Sequence, residues 1–266
     1  LRHGAVIVEN CAVRTLSLAA GRVAGVVTER GEIRCEQVLL AGGLWSRRFL
    51  GNLGISFPTL PLICSVLRTA PMEGPTEIAV GGPDFSFRKH PDGGFVVTQR
   101  GALIAPLSLD HLLIGWRYLG SLGANHKLLR LRLGAHALRD LALARRWGAT
   151  SVSPFERVRT MSPETDAAIN AEVLRNLAAA WPGFAAASIA EAWAGMIDIT
   201  PDSLPVISPV ERIPGLTVAS GFSGHGFGTS PAAGQLAADL VTAATPIVDP
   251  APYRLDRLTT SGNRRG

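Results

Sequence analysis

The stretch from Ala219 to Gly234, ASGFSGHGFGTSPAAG, constrains this chain more than any other. Gly221, Gly224, Gly226, Gly228 and Gly234 fall within it, and His225 sits between two of them. The apolar run Gly215-Leu216-Thr217-Val218-Ala219 before it reads as a buried strand. After it the spacing predicts a helix, with Ser230 as N-cap, Pro231 at the first helical position and Leu236, Ala237, Leu240 and Val241 on one face. A strand feeding a glycine-rich turn and a helix N-terminus brings bare backbone N–H groups up against a ligand that carries negative charge.

The 266 residues are 47% hydrophobic and 18% charged, a folded-protein composition with room for one or two domains. A net charge of +5 raises the question of nucleic acid, yet only Lys89 and Lys127 are lysines and the arginines are scattered in short clusters. That pattern does not read as a polyanion-binding surface. Cys11, Cys35 and Cys64 are widely separated and form no C-x-x-C pair, so neither a zinc site nor a redox dithiol is expected. Sparse thiols fit a reducing, cytoplasmic setting. Apolar runs fall short of the roughly 18 residues a membrane-spanning helix needs, while peripheral attachment to a membrane stays open.

In chain order, Ala5–Val8 and Cys11–Leu18 are strand candidates, and Val23 to Val38 describes a hairpin turning at Gly31. Val38-Leu39-Leu40-Ala41 predicts a strand buried on both faces of a parallel sheet. Gly42-Gly43 ends it, and a short helix carrying Trp45 follows. That glycine pair fits either a tight strand-to-helix turn or close backbone approach to a nucleotide. Residues 55–62 read as a linker. Strand signals then recur at Leu62–Leu67, Ile78–Val80, Phe85–Arg88, Phe95–Thr98 and Leu112–Trp116, with a hairpin turn at Pro91-Asp92-Gly93-Gly94, so an antiparallel sheet is expected. Helices are predicted over Leu128–Trp147 and from Ser162 to Trp181. Ile189–Ile199 leads into Pro201-Asp202-Ser203-Leu204-Pro205, a rigid path to a short strand. The tail from Val248 to Leu258 reads as extended, and 259–266 as disordered.

Four stretches together carry a resemblance: GRVAGVVT from Gly21 with its Gly31 turn, VLLAGGLWS from Val38, WAGMIDITPDSLPVI from Trp193, and Gly221 to Gly234. In that order they resemble the D-amino-acid oxidase-like flavoenzymes, the group of glycine oxidase, sarcosine oxidase and bacterial D-amino-acid dehydrogenases. The resemblance implies an α/β fold. An incomplete FAD-binding domain of the glutathione-reductase type (residues 1–56 and 200–266) is interleaved with an α+β antiparallel-sheet substrate domain (57–199). It implies FAD as cofactor, with Val13, Ala41, Gly42, Gly43 and Trp45 at the adenosine half. Gly221, Phe222, Ser223, Gly224, His225, Gly226, Phe227, Gly228 and Thr229 would line the isoalloxazine ring. The implied reaction oxidises the C–N bond of a D-amino acid, secondary amino acid or related amine by hydride transfer to flavin N5. Two roles are open to His225: charge beside the ring, or a hydrogen bond within the turn.

The sequence departs from the family in two places. No window fits the G-x-G-x-x-G that holds the FAD pyrophosphate, and the chain begins Leu1-Arg2-His3-Gly4. The expectation is an N-terminally truncated member, with the missing part or an electron acceptor supplied elsewhere. The alternative is an inactive fragment with an interaction role. Several members also carry an arginine two residues after the W-x-G glycine to grip a substrate carboxylate, where this chain has Ile197. Arg88 or Arg159 is expected to take that task.

Overall fold

The computed structural model describes residues 4–100, 102–120, 129–132 and 135–258. These separate into two compact units, one of Leu1–Leu60, Arg139–Thr160 and Asp198–Gly266, the other of Pro61–Leu138 and Met161–Ile197. Residues 139–160, assigned to the middle segment from sequence, thus pack with the first unit. Among the described residues no helix is long and apolar enough to cross a membrane, and no cluster of His, Cys, Asp or Glu could hold a metal ion.

The first unit opens with an antiparallel meander of β1 (Val13–Ala19), β2 (Arg22–Thr28) and β3 (Gly31–Arg34). Gly31 turns it at φ 131°, and the buried Thr28 hydroxyl closes the turn by donating to the Gly31 carbonyl at 2.7 Å. β4 (Val38–Leu40) then runs into α1 (Leu44–Asn52). After the second unit the chain returns through α4 (Pro154–Arg157), β12 (Val206–Pro209), β13 (Leu216–Ser220) and α6 (Gly226–Thr242). β13 pairs antiparallel with β12 and parallel with β4, Leu216 opposite Val38 and Val218 opposite Leu40. Leu16, Val23, Leu50, Phe57, Val206, Leu216 and Val218 form the core of this unit. Ala233, Leu236 and Ala237 pack α6 onto Ile207 of β12.

The second unit holds a seven-stranded sheet in the order β10-β9-β5-β8-β7-β6, with β11 also on β5. Its strands are β5 (Leu60–Thr69), β6 (Val80–Gly81), β7 (Ser86–Lys89), β8 (Phe95–Thr98), β9 (Leu103–Pro106), β10 (Leu129–Arg132) and β11 (Ile189–Ile199). All the described pairings are antiparallel except that of β10 with β9. Helix α5 (Ala167–Ala180) covers the sheet, burying Val173 and Leu177 against Phe87, Phe95 and Val97. Phe87 meets Phe95 edge-on at 5.6 Å and Trp181 at 5.4 Å, so aromatic packing closes this core. Short helix α2 (Leu109–Ile114) and α3 (Ala135–Ala142) complete the element list.

The mixed α/β architecture is as expected, but several local expectations are overturned. Ala5–Val8 is no strand; Val6 is 82% exposed, and among the described residues no strand pairs with it. Val38–Leu40 lies at a sheet edge with Leu39 exposed, because among the described residues only β13 pairs with it. Leu112–Trp116 is helical: Ser108 and His111 form a reciprocal cap, and an unbroken apolar run has no period to tell helix from strand. In the predicted helix from Leu128 to Trp147, Leu129–Arg132 is a strand, as its Leu-Arg alternation allows, and helix covers only Ala135–Ala142; Leu128 lies outside the described residues.

Helix α5 starts at Asp166 and not Ser162, since the Asp166 carboxylate accepts from Ala168 and Ile169 N–H at 2.9 and 3.0 Å. The supposed linker 55–62 is packed, with Phe57 1% exposed. The tail makes 3₁₀ turns that bury Leu255 and Leu258, where an extended path was expected; residues 259–266 lie outside the described set.

Candidate active site

β4 and β13 are parallel neighbours, so the two glycine turns that follow them leave the sheet at the same end. The hydroxyls of Ser46, in the first turn of α1, and of Ser220, the last residue of β13, hydrogen-bond at 2.6 Å in a fully buried contact. Ligands of parallel sheets collect at the carboxyl ends of adjacent strands, which makes this edge the first place to look.

The turn after β4 is tight. Gly43 takes φ 53° and ψ −128°, a conformation for glycine, and is the N-cap of α1. The Gly42 N–H donates to Ser46 Oγ at 3.1 Å, and the Trp45 and Ser46 N–H groups are taken by Gly42 and Gly43 carbonyls at 3.0 Å each. Against this turn lies a cavity of about 430 Å³, wholly within the first unit. Its wall is mostly apolar: Val13, Val26, Leu40, Gly42, Trp45, Phe49 and Phe155 contribute, with Asn10, Arg159 and Thr160 as polar members. Ala41 and Gly43 share the turn but not the wall.

Residues 139–160 close one side of this recess through a dense set of polar and ring contacts. Arg14 grips Glu156 with two bonds of 2.9 and 2.8 Å, and Arg159 grips Glu29 with two of 2.8 and 2.7 Å. Trp147 Nε1 donates to the Arg14 carbonyl at 2.8 Å, and Phe155 meets both Trp45 and Trp147 edge-on at 5.3 Å. Hydrogen bonds from Arg159, and one from the Ala12 N–H, hold the Glu29 carboxyl down at about 2. The bonds from Arg14 hold Glu156 at about 2 as well, against the effect of its burial.

The turn after β13 is built differently. Gly221 (φ 78°), Ser223 (φ 53°) and Gly224 (φ 83°) all take left-handed backbone, which reverses the chain into α6. A Cβ at Gly221 would stand 2.6 Å from Thr200 Cγ2, so only glycine fits. From beneath, Asp198 accepts the Gly221 N–H at 2.6 Å on Oδ2 and the Ser223 N–H at 3.0 Å on its carbonyl. The Thr200 N–H donates to Ser223 Oγ at 3.2 Å. Burial pushes the Asp198 carboxyl above its ordinary value, with the Gly221 N–H working the other way.

Helix α6 begins at Gly226, with His225 as N-cap, five residues before the expected start. Pro231 therefore lies inside the helix, where it cannot donate to the Phe227 carbonyl. Ser230 Oγ donates to that carbonyl at 3.0 Å instead, and Thr229 Oγ1 to the His225 carbonyl at 2.9 Å. The correction moves Gly226, Phe227, Gly228 and Thr229 from a loop into the first helical turn, whose leading N–H groups have no carbonyl a turn earlier to bond. Gly224, His225, Phe227 and Gly228 are exposed, and a Cβ at Gly228 would meet nothing within 4 Å.

The remaining two candidates do not share a unit. Arg159 belongs to the first and is engaged with Glu29; Arg88 is exposed on β7 in the second. Sequence reading missed Asp198, Thr200, Ser46 and Glu29. Asp198 had a usable signal, the one charge in the apolar run Met196-Ile197-Asp198-Ile199; the serine pair and Glu29 had none.

A family model described as "DAO: FAD dependent oxidoreductase" matches residues 1–240. Over 87% of the chain it is 30% identical to glycine oxidase of Pseudomonas aeruginosa, of which it covers 49%. Over 93% it is 25% identical to D-amino acid dehydrogenase of Bradyrhizobium diazoefficiens, covering 46% of that protein. The L-amino acid deaminase from Proteus vulgaris superposes with a TM-score of 0.87 at 33% identity, covering 93% of this chain and 57% of that one. The chain thus spans about half the length of the curated relatives it matches.

Proposed function

The chain belongs to the DAO family of FAD-dependent oxidoreductases, and from that premise we propose that it carries the ring-facing half of a flavin site that oxidises the C–N bond of an amino acid or related amine. The observation that carries this reading is the pairing of the two glycine turns at one end of the β4–β13 sheet. The residues fit the cofactor at both of its ring systems. An apolar recess beside Gly42, with an indole and two phenyl rings in its wall, suits a flat heterocycle such as adenine. The exposed first turn of α6 suits an edge on which negative charge collects. No G-x-G-x-x-G window is present, so the pyrophosphate is assigned to no residue here.

Bound there, the flavin supplies an acceptor for the hydride leaving the substrate. The chain's part is position and field. The N–H groups of Gly226, Phe227 and Gly228 and the positive end of α6 stabilise the charge that the transfer develops. Asp198 keeps the turn in its left-handed path, and Gly228 leaves room for close approach. His225 keeps both roles read for it, charge beside the ring or a bond in the turn. Of the two arginines, Arg88 is the better candidate to hold a substrate carboxylate, because both terminal nitrogens of Arg159 already serve Glu29. The substrates in the relatives' names include glycine, D-amino acids and L-amino acids, so the proposal stays at that class. A cytoplasmic setting fits the three unpaired thiols.

Titrating FAD into the purified chain while following flavin fluorescence tests the reading. Saturable quenching that Trp45→Ala and Gly228→Val both weaken supports it. No quenching by a chain that circular dichroism shows to be folded favours the fragment without cofactor.

A further inference from the structure

The carboxylate beneath the outward turn carries a charge that its clamping task does not need. Asp198 stands near the end of β11, in the part of that strand that belongs to the first unit. Its Oδ2 accepts the Gly221 N–H at 2.6 Å and its carbonyl the Ser223 N–H at 3.0 Å, while the Phe222 N–H favours its charged form. The His225 N–H goes to the Phe222 carbonyl at 2.9 Å. What the turn offers a ligand is therefore the first turn of α6, with this carboxylate behind it. Among the described residues no Lys, Arg or His forms an ion pair with Asp198, whereas Asp202 is held by Arg257 at 2.8 Å. Burial opposes the charge and raises the Asp198 carboxyl above its ordinary value. A neutral amide would offer the same kind of oxygen to the Gly221 N–H without burying a charge. The N-terminal end of a helix carries about half a positive charge, and a whole negative charge close by offsets it.

We propose that Asp198 sets the electrostatic field at the outward turn, making the first turn of α6 a weaker stabiliser of negative charge and so lowering the reduction potential of the flavin bound there. The inference rests on the flavin reading and goes beyond it. The fold of the turn needs only an acceptor atom at Asp198; the charge on that atom acts on the cofactor. Asp198 is in this respect a positioning residue, acting through the Gly221 N–H and through the low-dielectric interior around it.

The test is the reduction potential of FAD bound to the full chain, read against a reference dye during slow reduction, for the natural sequence, Asp198→Asn and Asp198→Ala. Both variants should hold more reduced flavin at a given poise, by about tenfold in the reduced-to-oxidised ratio, or about 30 mV for a two-electron couple. Asp198→Asn is the deciding variant, because it keeps an acceptor for the Gly221 N–H and removes the charge. Circular dichroism checks that the variants fold; should Asp198→Ala not fold, Asp198→Asn decides alone. A purely structural clamp would leave Asp198→Asn at the natural potential. That result, or a potential that falls in Asp198→Asn, overturns the proposal. Its failure is distinct from that of the flavin reading: a folded chain that binds no FAD sinks both, whereas FAD bound at an unchanged potential sinks this inference alone.

Discussion

The two glycine turns of the first unit follow parallel, hydrogen-bonded strands, and each opens a helix, yet they do opposite things with their backbone. The turn after β4 spends its N–H groups internally, on Ser46 Oγ and on its own carbonyls, and sits against a walled recess. The turn after β13 is clamped from below by Asp198 and Thr200, and turns its helix N-terminus outward. Glycine alone therefore does not say which task a turn performs. What decides it is where the N–H groups go: inward for a shaped cavity, outward for a charge-stabilising platform.

The contrast breaks most visibly at two glycines of the same turn. Gly221→Ala forces a Cβ to within 2.6 Å of Thr200 Cγ2 at φ 78°, and should cost about 2–4 kcal/mol by denaturant unfolding. Asp198→Ala comes next, at about 1–3 kcal/mol, because the Gly221 N–H loses its acceptor. Gly228→Ala should go the other way, gaining about 0.5–1 kcal/mol, since it is helical with nothing within 4 Å of the new Cβ. If Gly228→Ala stabilises the chain and also weakens FAD binding, the glycine is there for the ligand and not for the fold. A destabilised Gly228→Ala would erase the distinction between clamp and platform.

How far each turn was legible follows from the same physics. Strand, glycine turn and helix could be read in both places because apolar runs and glycines are local signals, and the β2–β3 hairpin followed from Gly31 for the same reason. The start of α6 was misplaced because proline at a first helical position is the usual rule; the hydroxyls of Thr229 and Ser230 that let it sit inside the helix act through geometry the sequence does not announce. The braces were invisible for a further reason. Ser46 and Ser220 are 174 positions apart, and Arg159 and Glu29 are 130 apart. Only the folded chain brings such pairs together, and it also carries 139–160 into the first unit, where its Phe155 completes the recess.

Acid offers the mildest test and separates the two turns by sign. Glu29 and Glu156, which hold the wall of the recess, titrate at about 2 in the fold against an ordinary 4.5. Their stabilisation is complete above 4.5 and is lost as pH falls from there towards about 2. Asp198, beneath the other turn, is shifted upward from its ordinary 3.8, so its buried charge is a cost at neutral pH that acid relieves. The two ion pairs should dominate only modestly, because Arg159 is 41% exposed and water screens it. Denaturant midpoints measured down the acid range should therefore fall, and Glu156→Gln should flatten that fall. Asp198→Asn keeps an oxygen for the Gly221 N–H while removing the charge, so it should leave neutral-pH stability unchanged or slightly raised and steepen the loss in acid. A variant that instead loses stability at neutral pH as Asp198→Ala does would mean that the charge on Asp198, and not merely its acceptor atom, holds the outward turn in place.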